Sequence, residues 1–132
     1  YIAKQTVKKL IAAGKNVLNA RALVMGTTFK EDVSDVRNSR VADLVSELKQ
    51  YGVDVDVTDP FANNKDLMQE YHFGLTESLR YDYDVVIVAV SHKPYLQLNE
   101  EYFKSISNNH GILIDVKGIF RNKIKDLVYW SL

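Results

Sequence analysis

Basic side chains cluster directly after the first apolar run of the chain, around a single aromatic residue, Phe29. The segment from residue 26 to residue 40 holds Lys30, Arg37 and Arg40. Lysine and arginine at the mouth of a sheet are what a phosphate ligand needs, and arginine can bind a phosphate with two parallel hydrogen bonds. The same segment also contains three acidic residues: Glu31, Asp32 and Asp35. The alternative is a solvated cluster whose charges pair with one another, and composition alone leaves both interpretations open.

Two further loops place polar residues directly after strand-like runs, Thr58-Asp59-Pro60 and Asp115-Val116-Lys117-Gly118. Ligands of open α/β sheets bind beyond the carboxyl ends of the strands. These loops and the segment 26–40 are therefore the places where a ligand is expected. Asp59 and Asp115 are expected to cap a neighbouring helix or loop and not to take part in catalysis.

Metal and cysteine chemistry have no support in the sequence. The three histidines lie at positions 72, 92 and 110, without the spacing of a metal site. His92 follows an apolar run, and we expect it to be a loop residue with a structural hydrogen bond. The chain has no cysteine, which excludes a disulfide framework, a thiolate zinc site and a cysteine nucleophile.

The strand that ends at Gly26 is followed by a loop and a helix, which invites comparison with dinucleotide-binding proteins. Their G-x-G-x-x-G fingerprint uses three small residues so that the backbone can approach a pyrophosphate. Thr28 and Glu31 occupy the equivalent positions here, and the loop continues to Arg37 before a helix cap at Asn38-Ser39. We therefore expect that this domain does not hold NAD by itself.

Length and composition indicate one ordinary globular domain. The chain has 132 residues, of which 46% are apolar and 26% charged. Its 17 basic and 17 acidic residues balance, which argues against a nucleic-acid or anionic-membrane partner. The longest apolar run, Val85–Val90, is too short to span a membrane, and the lack of cysteine suits the cytoplasm. Because Tyr1 already lies in a helical pattern, we expect the chain to be excised from a longer one.

Hydrophobic periodicity predicts an alternation of strands and helices. The predicted elements are a helix over 1–13, a strand over 21–26, a helix over 41–51, a strand over 53–57, a short helix over 63–71, a helical turn over 75–81, a strand over 85–90, a helix after residue 99, a strand over 111–115 and a short terminal element over 128–130. Thr76 is the expected cap of the turn, and the polar face of 53–57 indicates a sheet edge. The order predicts an α/β fold with a mainly parallel sheet covered on both faces.

A longer motif carries a resemblance. Residues 26–39 read Gly-Thr-Thr-Phe-Lys-Glu-Asp-Val-Ser-Asp-Val-Arg-Asn-Ser, which resembles the G-x-x-F-K-x-[DN]-x-x-D-x-R-x-S signature of the UDP-glucose/GDP-mannose dehydrogenase family. That signature opens the family's C-terminal, nucleotide-sugar-binding domain. Shorter matches follow in the same order: Thr58-Asp59-Pro60, Asp84–Val90 with His92 after it, Asp115–Gly118 and the closing Tyr129–Leu132. The resemblance covers about residues 20–132, and residues 1–19 look like the end of the family's central connecting helix.

The resemblance implies a Rossmann-like three-layer sandwich, preceded by the end of a long connecting helix, in an NAD-dependent UDP-sugar 6-dehydrogenase. Such enzymes use two NAD to oxidise the sugar C6 alcohol to a carboxylate. Their NAD-binding domain, catalytic cysteine and dimerisation helix precede this piece. The resemblance therefore implies a homodimer or higher oligomer, and a fragment that holds no catalytic residue and is inactive alone.

The resemblance also implies roles for individual residues. Phe29 and Lys30 fall on family positions that contact the UDP-sugar, and Lys117 falls near a basic residue that approaches the same substrate. Arg37 falls on the arginine that reaches across the cleft toward the NAD phosphates. The acidic residues of the segment are then supporting residues or helix-end partners.

Two features favour the branch that acts on UDP-N-acetylhexosamines, which makes uronic acids for capsule or O-antigen: Asn38-Ser39 in place of Glu-Ser, and the Trp130-x-Leu132 ending. UDP-glucose remains the other candidate substrate. The competing hypothesis is a non-enzymatic regulatory or ligand-binding domain with the same doubly wound fold. Against a response regulator, the first strand ends in Met25-Gly26 without an acidic pair.

Overall fold

The computed structural model describes residues 1–132. Its elements, in chain order, are α1 (Ile2–Ala12), β1 (Arg21–Met25), α2 (Arg40–Gln50), β2 (Asp54–Thr58), α3 (Asn64–Tyr71), β3 (Tyr83–Val88), a 3-10 helix (Lys93–Gln97), α4 (Glu100–Ile106), β4 (Ser107–Asp115) and β5 (Val128–Ser131).

The five strands form one parallel sheet in the order β2-β1-β3-β4-β5. The continuous apolar strand β3 lies at its centre, and the alternating strand β2 lies at an edge, as predicted. The terminal element is a true strand, β5, at the other edge. Since the chain leaves β1 toward β2 and returns on the other side to β3, the carboxyl ends of β1 and β3 form a topological switch point, where doubly wound sheets bind ligands.

Separate apolar cores cover the two faces of the sheet. Val24 and Ile87 pack with Leu10 of α1 and Leu48 of α2 on one face. The alternate strand residues contribute to the opposite core, which contains Leu23, Val86, Leu113, Phe103 and Phe120. Because neighbouring residues of a strand point to opposite faces, this division is the one that strands buried on both sides require. The predicted α/β three-layer sandwich is confirmed.

Polar side chains cap the N-termini of three helices. The Ser39 hydroxyl accepts a hydrogen bond from the Val41 amide at 3.2 Å at the start of α2. Asn63 and Asn99 cap α3 and α4 in the same way. Such side chains satisfy amides that have no partner within the helix, which fixes where each helix begins.

The helical turn predicted over residues 75–81 is wrong. This stretch is irregular, and Thr76 caps no helix. Its amide donates to the Val57 carbonyl at 2.7 Å, and its hydroxyl accepts from the Val57 amide at 3.0 Å. Thr76 pairs with β2 and does not begin a helix, because β2 lies at the sheet edge, where its free backbone groups need partners.

Helix α1 packs into the sheet domain. Ala3 and Leu10 are fully buried in the core that also contains α2. At the other end of the chain, β5 places Trp130 beside Tyr1, with the two ring centroids 6.3 Å apart. Residues 1–19, predicted as the end of a connecting helix, therefore share a core with residues 20–132.

Candidate functional site

The loop from Thr27 to Asn38 turns sharply as it leaves β1. Gly26 has a φ of +97°, and a Cβ built on it would lie 2.7 Å from the Val90 Cβ. Beyond it, the buried Thr28 hydroxyl donates to the Lys30 carbonyl at 2.7 Å, and the Phe29 amide donates to the Asp35 carbonyl at 2.8 Å. These bonds hold the backbone and leave the two side chains at 29 and 30 facing outward.

Asp59, at the end of β2, ties this loop to the next one. Its carboxylate accepts from the Thr27 amide at 2.6 Å, and from the amides of Phe61 and Ala62 at 2.7 and 2.9 Å. The predicted capping role of this aspartate is what the structure shows.

His92, after β3, is completely buried. Its Nδ1 accepts from the Asp32 amide at 2.9 Å, so the ring proton lies on Nε2. That nitrogen lies 2.9 Å from Asp59 Oδ2 and 3.3 Å from the Thr28 hydroxyl. The predicted structural hydrogen bond of this histidine is confirmed, and it joins three loops at one edge of the sheet.

Asp115, at the end of β4, organises the loop that carries Lys117. Its carboxylate accepts from the amides of Ile119 and Phe120 at 3.1 and 2.8 Å, and from the Tyr129 hydroxyl at 2.5 Å. Burial and this hydrogen bond raise the pKa of Tyr129 to about 12. Asp115 therefore supports the loop, as predicted.

One cleft collects these loops at the carboxyl edge of the sheet. It has a volume of about 450 Å³ and is lined by Thr28–Glu31, Asn38, Arg40, Ala89, Val90, Val116 and Lys117, with Val41 and Leu44 of α2 and the chain ends Ile2 and Leu132. The predicted substrate residues Phe29, Lys30 and Lys117 all line it. The Phe29 ring is 59% exposed although it is large and apolar.

Three basic side chains line the cleft, and none of them has a carboxylate partner. Lys30, Arg40 and Lys117 form no ion pair, although seven lysine or arginine contacts to carboxylates occur elsewhere in the chain. One carboxylate, Glu31, shares the cleft without pairing with them. Unpaired cations from different loops around one cleft create a positive potential that attracts anions.

Arg40 belongs to the basic cluster of the segment 26–40, but the family resemblance assigns it no ligand role. It is the first residue of α2, directly after the Ser39 cap, where the helix N-terminus adds positive potential. The sequence signal for it was its position after a helix cap within the charged segment.

Arg37 lies outside this cleft. Its Nε and Nη2 donate to the two carboxylate oxygens of Asp35 at 3.0 and 3.1 Å. This contact lowers the pKa of the Asp35 carboxyl. Arg37 lines a separate polar depression with Asp66 and Glu70 of α3. Arg37 thus follows the alternative in which charges of the segment pair with one another, although its side chain is 73% exposed.

A larger groove of about 840 Å³ lies between α2 and α3. Its polar wall includes Asp43 and Glu70 as well as Lys49, and the carboxyl ends of β3 and β4 do not reach it. The smaller cleft is the better candidate, because the loops after β1, β3 and β4 converge on it.

The fold places the chain in the class of doubly wound parallel α/β domains, whose ligands bind at the switch point of the sheet. None of the helices combines the length and the apolar character that crossing a membrane requires. Residues 23–122 match the model of the UDP-glucose/GDP-mannose dehydrogenase family, UDP binding domain. The chain belongs to this family.

Individual known proteins are similar to this chain in sequence or in structure. The chain is 33% identical over 128 residues to a UDP-N-acetyl-D-glucosamine 6-dehydrogenase of Salmonella typhi. This match covers 96% of the chain and 30% of that protein. It is 35% identical over 123 residues to the protein CapL of Staphylococcus aureus, covering 92% and 29%. The structure of a UDP-D-ManNAc dehydrogenase from Pyrococcus horikoshii superposes with a TM-score of 0.81 at 21% identity, over 98% of this chain and 29% of that one. The chain thus spans about 30% of the length of these relatives.

Proposed function

We propose that this chain binds the UDP part of a nucleotide sugar in the cleft at the carboxyl edge of its sheet. The observation that carries the proposal is the convergence of Lys30, Arg40 and Lys117 on this cleft without acidic partners. A diphosphate would supply the missing negative charge through charge-assisted hydrogen bonds. The exposed Phe29 ring and the apolar wall formed by Val90 and its neighbours offer surface for a base or a sugar ring.

The parent protein, on this proposal, is an NAD-dependent 6-dehydrogenase that oxidises a UDP-sugar to its uronic acid for surface polysaccharide synthesis in the cytoplasm. UDP-N-acetylhexosamines are the favoured substrates, because the relative named for UDP-N-acetyl-D-glucosamine is 33% identical and its match covers 96% of this chain. Family membership also favours this function over a regulatory ligand-binding domain.

On this proposal, the residues of this chain do not hold NAD by themselves. Thr28 and Glu31 stand where the dinucleotide fingerprint needs glycine, and Glu31 would bring a carboxylate toward the pyrophosphate. NAD would therefore be held by an N-terminal domain of the parent protein, which also supplies the catalytic cysteine. Arg37 is our candidate for contact with NAD from this side, since its guanidinium remains largely exposed beside Asp35. Oligomerisation through the helix that ends in α1 belongs to the same proposal.

A thermal shift and a calorimetric titration of the 132-residue chain test the binding proposal. UDP and UDP-N-acetylglucosamine should both bind and raise the melting temperature. Ligand at 100 times its Kd should add about 2.7 kcal/mol to the free energy of unfolding. Uridine, which lacks the diphosphate, is the matched control and should bind much more weakly. A chain that binds neither UDP nor the UDP-sugar would refute the proposal.

A further inference from the structure

We infer that His92 and Asp32 form a clamp that positions the β1–α2 loop for ligand binding, although His92 itself is sealed from the cleft. The inference rests on the proposed function, since it concerns the affinity of that site. Two backbone amides and two side chains form the clamp. The Asp32 amide donates to His92 Nδ1 at 2.9 Å, and the Lys93 amide donates to Asp32 Oδ1 at 2.6 Å.

The clamp holds the β1–α2 loop at Asp32, in an exposed turn. Asp32 has a φ of +59°, a left-handed conformation that side chains other than glycine, asparagine and aspartate seldom adopt. Glu31 and Asp32 are exposed, so the apolar core does not hold this turn in place. The two reciprocal hydrogen bonds supply the restraint that burial does not.

The restrained turn follows directly after the ligand residues. Lys30 has its carbonyl held by Thr28 and lies two positions before the clamped Asp32. If the clamp opens, Asp59 still holds the start of the loop through Thr27, but Phe29 and Lys30 keep only the bonds within the loop, from the Phe29 amide to Asp35 and from the Thr28 hydroxyl to the Lys30 carbonyl. His92 is therefore a positioning residue for UDP, separate from its contribution to the core.

Two substitutions of His92 separate these contributions. Asparagine places an oxygen where Nδ1 lies and keeps the bond from the Asp32 amide, but it loses the donor to Asp59. Glutamine places its amide near Nε2 and keeps that donor, but it releases Asp32. We expect His92→Asn to bind UDP within about threefold of wild type and His92→Gln to bind about tenfold more weakly, since one lost hydrogen bond corresponds to that factor. The exposed His110 has a φ of +62°, which asparagine tolerates, so His110→Asn serves as the control and should change neither UDP affinity nor stability.

Two substitutions of the exposed Asp32 test the same clamp if the His92 variants fold poorly. Asp32→Gly keeps the left-handed turn but removes the acceptor for the Lys93 amide, whereas Asp32→Asn keeps both. We expect UDP affinity to fall severalfold in the glycine variant and to be rescued in the asparagine variant.

Calorimetry of UDP binding, urea unfolding and hydrogen exchange of the Asp32 amide are measured on every variant. Weaker UDP binding and faster Asp32 exchange in His92→Gln than in His92→Asn, at comparable stability, support the inference. Equal UDP affinities, or affinity losses that only follow the losses in stability, overturn it. If the wild-type chain binds no UDP, the proposed function fails, and the exchange rates of Asp32 alone still decide whether His92 holds the loop.

Discussion

Replacement of Gly26 by alanine should destabilise the domain more than the same replacement of Gly14, which has open space around it. Gly26 has a φ of +97°, and a Cβ there would meet the Val90 Cβ at 2.7 Å and the Val90 backbone nitrogen at 2.9 Å. Gly14 is the matched control, because its φ is +74° and nothing lies within 4 Å of its virtual Cβ. Both substitutions carry backbone strain, but only Gly26→Ala adds a collision with backbone.

The magnitudes follow from this difference. A left-handed alanine costs about 1–2 kcal/mol, which is the whole effect expected for Gly14→Ala. Overpacking against a strand end that cannot move freely adds about 1–3 kcal/mol at Gly26. The sum, about 2–5 kcal/mol, is a large part of the roughly 5–15 kcal/mol that stabilises a domain.

Urea denaturation followed by far-UV circular dichroism measures the free energy of unfolding of both variants. Gly26→Ala should be the less stable variant by about 1–3 kcal/mol. It should also bind UDP more weakly, because a displaced Val90 narrows the cleft that it lines. Equal losses for Gly14→Ala and Gly26→Ala would show that the close approach to Val90 does not limit this position, and the reasoning would be refuted.

Three further predictions concern charge and activity. Lys30→Ala should weaken UDP binding by about 1.5–3 kcal/mol in calorimetry, while Lys8→Ala on the exposed face of α1 should not, and equal affinities would remove Lys30 from the site. The hydrogen bond from the Arg80 guanidinium lowers the pKa of Asp54, so the stability it contributes is complete above the ordinary carboxyl pKa of about 3.9 and is lost as the pH falls below it. The stability difference between wild type and Arg80→Gln should therefore shrink between about pH 5 and pH 2, and a constant difference would contradict this account. Finally, the chain alone should form no NADH from NAD and a UDP-sugar, and measurable absorbance at the NADH wavelength would disprove this.

The sheet could be predicted from the sequence because its strands carry strong local signals. The uninterrupted apolar run of β3 and the alternation of β2 reflect burial on two faces and on one face, and each strand lies where its pattern requires. Thr76 followed by Glu77 has the local character of a helix start, yet its hydrogen bonds go to β2. That pairing depends on a neighbour distant in sequence, which a local pattern does not encode.

The candidate site was predictable to the extent that strand ends determine it. Lys30 and Lys117 follow strands on either side of β3, so a parallel sheet brings their loops to one edge. Arg37 and Arg40 show the limit of this reasoning. Their order in the sequence does not reveal that the first pairs with Asp35 and points away, whereas the second begins a helix that faces the cleft. Loop conformation decides between them, and hydrogen bonds formed only in the folded chain set that conformation.

The meeting of the two chain ends at the cleft gives the domain a built-in optical reporter. Trp130 is the one tryptophan of the chain, and its ring lies 6.3 Å from that of Tyr1. The neighbours of this pair along the chain, Ile2 and Leu132, line the cleft. A ligand that displaces either terminus changes the environment of the indole, so the intensity and wavelength of its emission can follow occupancy without any attached label. The same geometry means that an affinity tag at either end would lie at the mouth of the cleft, and a tagged chain would report on the tag as well as on the ligand.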